Sequence, residues 1–226
     1  MSAWAVLVAA GRGERFGAGR PKAFVRLGER VLLAESLERL EESGWIDAIV
    51  VSAPPGWEEP AILLAEELGC GKVARTVTGG ETRAESVRAA VAEVPDDAAA
   101  IVVHDAARPL VTDEVVGRVL AALAEGWDGA VPVLPLDDTV KRVRDGTVVE
   151  TLDRAELAGA QTPQAFVAGV LRRALAGDVS RATDCSSLVE ASGGRVKAVA
   201  GDPRLLKVTS ADDLERVAGW LGIGTA

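Results

Sequence analysis

Trp4-Ala-Val-Leu-Val-Ala9, followed by Ala10-Gly-Arg-Gly-Glu-Arg15-Phe-Gly-Ala-Gly-Arg20-Pro-Lys22, decides the fold. A short, unbroken apolar run bounded by glycine is a strand buried on both faces. The same rhythm repeats outward from it. Residues 32–43 (LLAESLERLEES) carry apolar side chains at helical spacing and are closed by Gly44 at the C′ position. Residues 46–52 form a second strand and 57–68 a second helix; 73–77 form a short strand and 81–94 a helix. Residues 99–103 make a third fully apolar strand, and 111–125 a further helix. Apolar strands alternating with helices predict an α/β fold of three layers, a mostly parallel sheet covered on both faces.

The rhythm breaks after Ala130. Asp138-Thr-Val-Lys-Arg-Val-Arg-Asp145-Gly146-Thr-Val-Val-Glu-Thr-Leu-Asp-Arg154 holds two alternating, polar-rich runs joined by Asp-Gly, a strong hairpin signal. These runs are too polar for the sheet core and predict a projecting β-hairpin arm at about 136–157. An isolated hairpin is marginal in water, so it leans on a second subunit or on its own domain. Beyond the arm, residues 163–176 read as a helix with Pro163 first, and 183–192 as another. Residues 195–199 and 205–208 read as strands. A last helix opens with Ser210 and Asp213 at capping-box spacing. With no linker or repeat, the chain reads as one domain, 1–226, with an arm.

The 226 residues carry 34 acidic and 25 basic side chains, a net charge of −9. That balance argues against a nucleic-acid partner. No apolar run approaches the ~20 residues of a membrane span, and the start lacks a signal peptide's basic flank and cleavage site. Two cysteines, Cys70 and Cys185, are too few for a disulfide framework, so a cytoplasmic setting is expected. A single histidine excludes most His-based chemistry. Asn is absent and Met occurs once, which fits heat adaptation or a GC-rich genome equally.

The chemistry is densest in the glycine loop. Gly11, Gly13, Gly17 and Gly19 let backbone N–H groups approach an anion, and Arg15, Arg20 and Lys22 add positive charge suited to a polyphosphate. The lysine of a P-loop follows glycine and precedes Ser or Thr; here Pro21 and Ala23 flank it. The dinucleotide fingerprint needs G-x-G-x-x-G and an acidic residue ending the second strand. This loop has one residue too many, and that strand runs into Ser52-Ala-Pro-Pro. A dehydrogenase is thereby disfavoured.

The run from Ala9 to Lys22 resembles the nucleotide loop of sugar- and polyol-phosphate nucleotidyltransferases, which have a Rossmann-like fold. Gly79-Gly-Glu-Thr-Arg83-Ala-Glu-Ser86, His104-Asp-Ala-Ala-Arg108-Pro, Leu152-Asp-Arg154, Gln161-Thr-Pro-Gln164, Thr183-Asp184 and Leu206-Lys207-Val-Thr209 narrow the resemblance. In this order, over nearly the whole chain, they resemble the 2-C-methyl-D-erythritol 4-phosphate cytidylyltransferase family. That resemblance implies CTP and a polyol phosphate as substrates, Mg²⁺ as cofactor, and a homodimer joined through the arm. It implies that Arg15, Lys22, Arg154 and Lys207 are catalytic. Ala9, Ala10, Gly11, Gly13, Gly80, Glu81, Arg83, Ser86 and Asp105 are implied to bind the nucleotide. Asp105, Arg108, Thr139, Arg154, Thr162, Thr183 and Lys207 are implied to hold the acceptor, and Asp105 to face the metal. His104 is expected to be structural, since a phosphate nucleophile needs no general base. Where relatives commonly carry an acidic residue after Thr-Asp, this chain has Cys185, to which no role is assigned.

Three readings stay open at this point. CMP transfer to methylerythritol phosphate leads; ribitol 5-phosphate is an alternative acceptor; a catalytically silent nucleotide-binding regulator is the third. Arg15, Lys22, Arg154 and Lys207 together speak against the last, because a sensor needs no acceptor pair.

Overall fold

The computed structural model describes residues 2–11, 13, 20–180 and 182–223. In chain order come β1 (Ala3–Val8), β2 (Arg26–Leu27), β3 (Arg30–Val31), α1 (Leu32–Glu42), β4 (Ala48–Ala53), α2 (Glu58–Glu67), β5 (Val73–Thr78), α3 (Arg83–Ala92), β6 (Ala100–Asp105) and α4 (Asp113–Ala124). They are followed by β7 (Gly129–Pro135), β8 (Lys141–Arg144), β9 (Thr147–Thr151), β10 (Ala158–Ala160), β11 (Gln164–Val167), α5 (Ala168–Ala176), α6 (Cys185–Ala191), β12 (Val196–Ala200) and α7 (Ala211–Leu221).

The opening apolar run is the hub of the sheet. β1 pairs in parallel with β4 on one side and β6 on the other, Leu7 opposite His104 and Val8 opposite Asp105, and β5 continues in parallel from β4. Alternation along the strands splits the core into two layers. Ala5, Leu7, Ile49 and Val102 pack with Leu37 of α1, Ala61 of α2 and Val119 of α4. Val6, Val50 and Val103 pack with Val87 of α3, Leu171 of α5 and Leu188 of α6. Each buried Val or Leu contributes roughly 1.5–3 kcal/mol, so both sheet faces must be covered. The parallel strands bring their carboxyl ends, and the loops after β1, β5 and β6, to one edge.

The far half of the sheet is mixed. β11 runs antiparallel to β6 and β7, β10 antiparallel to β7, and β12 parallel to β7. Residues 163–167 therefore correct the helix expected from Pro163: only Ala168–Ala176 is helical. Proline opens strands as well as helices. Phe166 is fully buried and packs over Gly129, where an added Cβ would lie 2.5 Å from its ring. Residues 205–208 are not a strand either. Leu205 N–H turns back to Asp202 O (2.9 Å) and Val208 N–H bonds Ala107 O (2.8 Å), pinning the segment to the loop after β6. Gly44 follows α1 but lies outside the left-handed region, with Ser43 as the extended C-cap. The Ser210–Asp213 capping box of α7 is present.

The Asp-Gly hairpin forms as read. β8 and β9 make a separate two-stranded sheet, turned through Asp145 (φ 47°) and Gly146 (φ 77°). Both strands are exposed throughout, and the cross-strand pair Val143 and Val148 is 56% and 57% exposed.

Candidate active site

A cleft opens at the carboxyl edge of the parallel strands. Val8, Ala9, Ala10 and Gly11 line it after β1, Asp105 to Ala107 after β6, and Gly80, Glu81, Thr82, Arg83 and Ser86 at the start of α3. Lys22 and Lys207 reach it as well. Gly13 is not among the lining residues. Its φ is +70°, and a Cβ there would stand 2.9 Å from the Lys22 backbone nitrogen. Lys22 N–H in turn bonds Gly11 O at 3.2 Å. The loop thus closes on the lysine, a close approach that requires glycine. Arg15, with Gly17 and Gly19, lies outside the described residues.

The α3 wall is built by local chemistry. Thr82 and Glu85 form a capping box, with Glu85 N–H to Thr82 Oγ1 at 3.2 Å and Thr82 N–H to Glu85 Oε2 at 2.8 Å. Ser86 is buried rather than facing solvent. Its hydroxyl accepts from Gly80 N–H (3.1 Å) and donates to Thr82 O (2.9 Å), fixing the Gly79-Gly80 turn. Ser86→Ala is expected to raise the KM for CTP about two- to tenfold while leaving the acceptor KM unchanged, since one buried hydrogen bond is lost. Steady-state titration of each substrate checks this. At Gly79 an added Cβ would meet Ala10 Cβ at 2.2 Å and Ser86 Oγ at 2.9 Å. Gly79→Ala is expected to destabilise the fold by about 1–3 kcal/mol, read by denaturant unfolding, because neither backbone can yield freely.

A second cavity adjoins the first. It is lined by Arg108, Gln161, Thr162, Gln164, Thr183 and Asp184, and it shares Arg83, Asp105 and Lys207 with the cleft. At the shared wall, Arg83 Nε donates to Asp105 Oδ1 and Lys207 Nζ to Asp105 Oδ2, both at 2.8 Å. Burial alone would push the Asp105 carboxyl up, but the charges of Arg83 and Lys207 outweigh it and hold the group well below the usual carboxylate range. Arg83 also donates to Cys185 Sγ at 3.5 Å. Burial pushes that thiol up to about 11, so it is a neutral neighbour. Arg108 donates to Leu205 O, and Asp105 N–H to Thr162 Oγ1 at 3.0 Å. The seam between the cavities thus holds one carboxylate, Asp105, and two cationic side chains, Arg83 and Lys207, with Arg108 beside them in the second cavity, an excess of positive charge suited to phosphates.

Residues 3–222 match the family model described as IspD: 2-C-methyl-D-erythritol 4-phosphate cytidylyltransferase. The chain belongs to this family. The 2-C-methyl-D-erythritol 4-phosphate cytidylyltransferase of Saccharopolyspora erythraea is 45% identical over 218 residues, covering 95% of this chain and 96% of its own. That of Rubrobacter xylanophilus is 39% identical over 214 residues, 93% of this chain and 90% of its own. The crystal structure of the cytidylyltransferase from Thermus thermophilus matches with a TM-score of 0.77 at 32% identity, covering 96% of this chain and 98% of that one. A 4-diphosphocytidyl-2C-methyl-D-erythritol synthase structure matches at 0.82 and 33% identity, with 97% and 98% covered. The protein is thus an IspD nucleotidyltransferase of non-mevalonate isoprenoid precursor biosynthesis, and methylerythritol phosphate is its acceptor.

In this IspD chain the structure brings together every described residue expected at the nucleotide except Gly13, which does not line the cleft. It also gathers Asp105, Arg108, Thr162, Thr183 and Lys207 of the acceptor set. Thr139 and Arg154 are not brought there. Both are exposed at the base of the arm, and the Arg154 guanidinium donates to Asp137 O. Gln161, Gln164 and Asp184 line the second cavity without having been assigned a role, although they belong to motifs that the sequence singles out. The Thr82-x-x-Glu85 cap was also legible as a pattern. No helix among the described residues is long and apolar enough to cross a membrane.

The residues present do not fit a protein-held metal. Among the described residues, no cluster of three His, Cys, Asp or Glu side chains is poised around one point, and both Asp105 oxygens already bind cationic side chains.

Proposed function

We propose that CTP lies along the cleft with its base against Gly80 and Ser86, and that 2-C-methyl-D-erythritol 4-phosphate enters the second cavity, so that the substrates meet at Arg83, Asp105 and Lys207. The observation that carries this reading is the shared wall of the two cavities. An acceptor phosphate oxygen, already an anion, forms a bond to the α-phosphorus of CTP. The bond from that phosphorus to the bridging oxygen breaks, and pyrophosphate leaves with the electron pair. The products are 4-diphosphocytidyl-2-C-methyl-D-erythritol and pyrophosphate. No general base is needed; the barrier lies in bringing anions together and in charge building on the leaving pyrophosphate.

Lys22 and Arg15 meet that charge, and Lys207 places the attacking phosphate. Arg108, Thr162 and Thr183 hold the acceptor from within the chain, Thr139 and Arg154 from a second subunit. On this reading one catalytic domain, 1–226, works as an arm-exchanged homodimer in the cytoplasm. Magnesium would enter as the CTP complex, held by phosphate oxygens, and would supply neutralisation of the triphosphate.

Pyrophosphate release with CTP and each polyol phosphate tests the reading. Methylerythritol phosphate is expected to support turnover, with ribitol 5-phosphate, UTP and ATP poor substitutes. Equal turnover with both acceptors, or with all three nucleotides, would refute the assignment of the two cavities.

A further inference from the structure

We propose that His104 is a positioning residue that holds the acceptor side of the site to the strand bearing Asp105, through a one-way chain of hydrogen bonds. His104 is fully buried at the end of β6 and lines neither cavity. Its Nε2 lies 3.0 Å from Arg108 O. A carbonyl can only accept, so Nε2 carries a proton. In a neutral ring Nδ1 must then accept, and Thr162 Oγ1 stands 3.1 Å away to donate. With its hydrogen directed at the ring, that oxygen accepts from Asp105 N–H at 3.0 Å. Every direction in the chain is forced by its carbonyl end. Burial, foremost, pushes the imidazole down to about 4, so the ring is neutral at working pH.

An apolar side chain would fill the same space but leave Arg108 O and the Thr162 proton unpaired. The chain reaches further than its own members. Arg108 N–H bonds Asp105 O at 2.9 Å, closing the 105–108 turn, and Ala107 O in that turn receives Val208 N–H at 2.8 Å. The backbone beside Lys207 therefore hangs on the turn that His104 anchors. This inference rests on the assignment of Thr162, Arg108 and Lys207 to the acceptor.

The two ring nitrogens can be tested separately. His104→Gln keeps a donor near Arg108 O and loses the acceptor for Thr162; His104→Asn keeps that acceptor and loses the donor. Each is expected to raise the KM for methylerythritol phosphate roughly three- to tenfold, with the KM for CTP within about twofold of wild type. On a Thr162→Val background, His104→Gln is expected to add nothing. Unchanged acceptor KM in folded variants, equal rises for both substrates, or additive losses would each overturn the proposal. If Thr162→Val alone leaves the acceptor KM unchanged, the acceptor assignment falls, and this inference with it. A rise for Thr162→Val without one for His104→Gln overturns the His104 role alone.

A final measurement needs no variant. The chain has one histidine, so ¹⁵N imidazole shifts of the wild-type protein report on His104 alone. Nε2 is expected to be protonated and Nδ1 bare at pH 7; a proton on Nδ1 would break the chain and overturn the proposal.

Discussion

Lys22→Ala is expected to lower kcat by roughly 10²–10³ while CTP binding changes far less. Lys22 reaches the cleft from a loop whose backbone closes on it through Gly11 O and the tight approach of Gly13. A cation whose backbone is fixed at the cleft edge gains most where charge is changing, and on the proposed reading that is on the phosphates as pyrophosphate departs. On the proposed reading several groups share the triphosphate in the ground state, so one lysine matters less there. Arg15→Ala is expected to behave alike. The check is a pair of measurements on each variant: single-turnover rate and CTP affinity by titration. Equal losses in rate and binding would make Lys22 a ground-state contact and remove it from the catalytic set.

Two inactive variants are expected to restore activity when mixed. One keeps Lys22 and carries Arg154→Ala; the other keeps Arg154 and carries Lys22→Ala. The motive is the arm. β8 and β9 form a two-stranded sheet of their own, exposed along its length with Val143 and Val148 uncovered, and such a hairpin is marginal alone. Arg154, at its base, lines neither cavity of its own chain. A symmetric dimer in which each arm embraces the other subunit accounts for both facts. Each mixed dimer then holds one complete site, built from the first chain's Lys22 and the second chain's Arg154. Each mixed dimer should show about half the activity of a wild-type dimer, so an equimolar mixture, of which about half is mixed dimer after random exchange, should approach roughly a quarter of wild-type activity. A monomeric chain at working concentration, or verified mixed dimers without recovery, would place the action of Arg154 within its own subunit.

The parallel half of the sheet was legible because its strands announce themselves. Runs such as 48–51 and 99–103 are apolar without interruption, and the helices between them keep helical spacing. The Asp145-Gly146 turn was equally readable, since few other sequences suit two consecutive positive φ angles. The second half was harder. Gly129–Pro135 contains two prolines, which obscured a strand that pairs with β10, β11 and β12. Gln164–Val167 reads as part of a helix because a leading proline suits either element. Its pairing partners, β6 and β7, lie far back in the chain, beyond what a local pattern records.

By itself the sequence determined the chemistry: the glycine loop, the cations in order along the chain, and the scarcity of histidine that fits a reaction needing no base. These follow from residue type and short spacing. Tertiary structure decided which of those residues act together. Arg83, Asp105 and Lys207 lie on α3, β6 and the segment before α7, and only the folded sheet brings them to one wall between two cavities. It likewise decided that Ser86 is spent on holding Gly80, and that His104 links Thr162 to Arg108. A hydrogen bond needs two partners at one distance and angle. That is a property of packed elements far apart in sequence, which residue spacing does not encode.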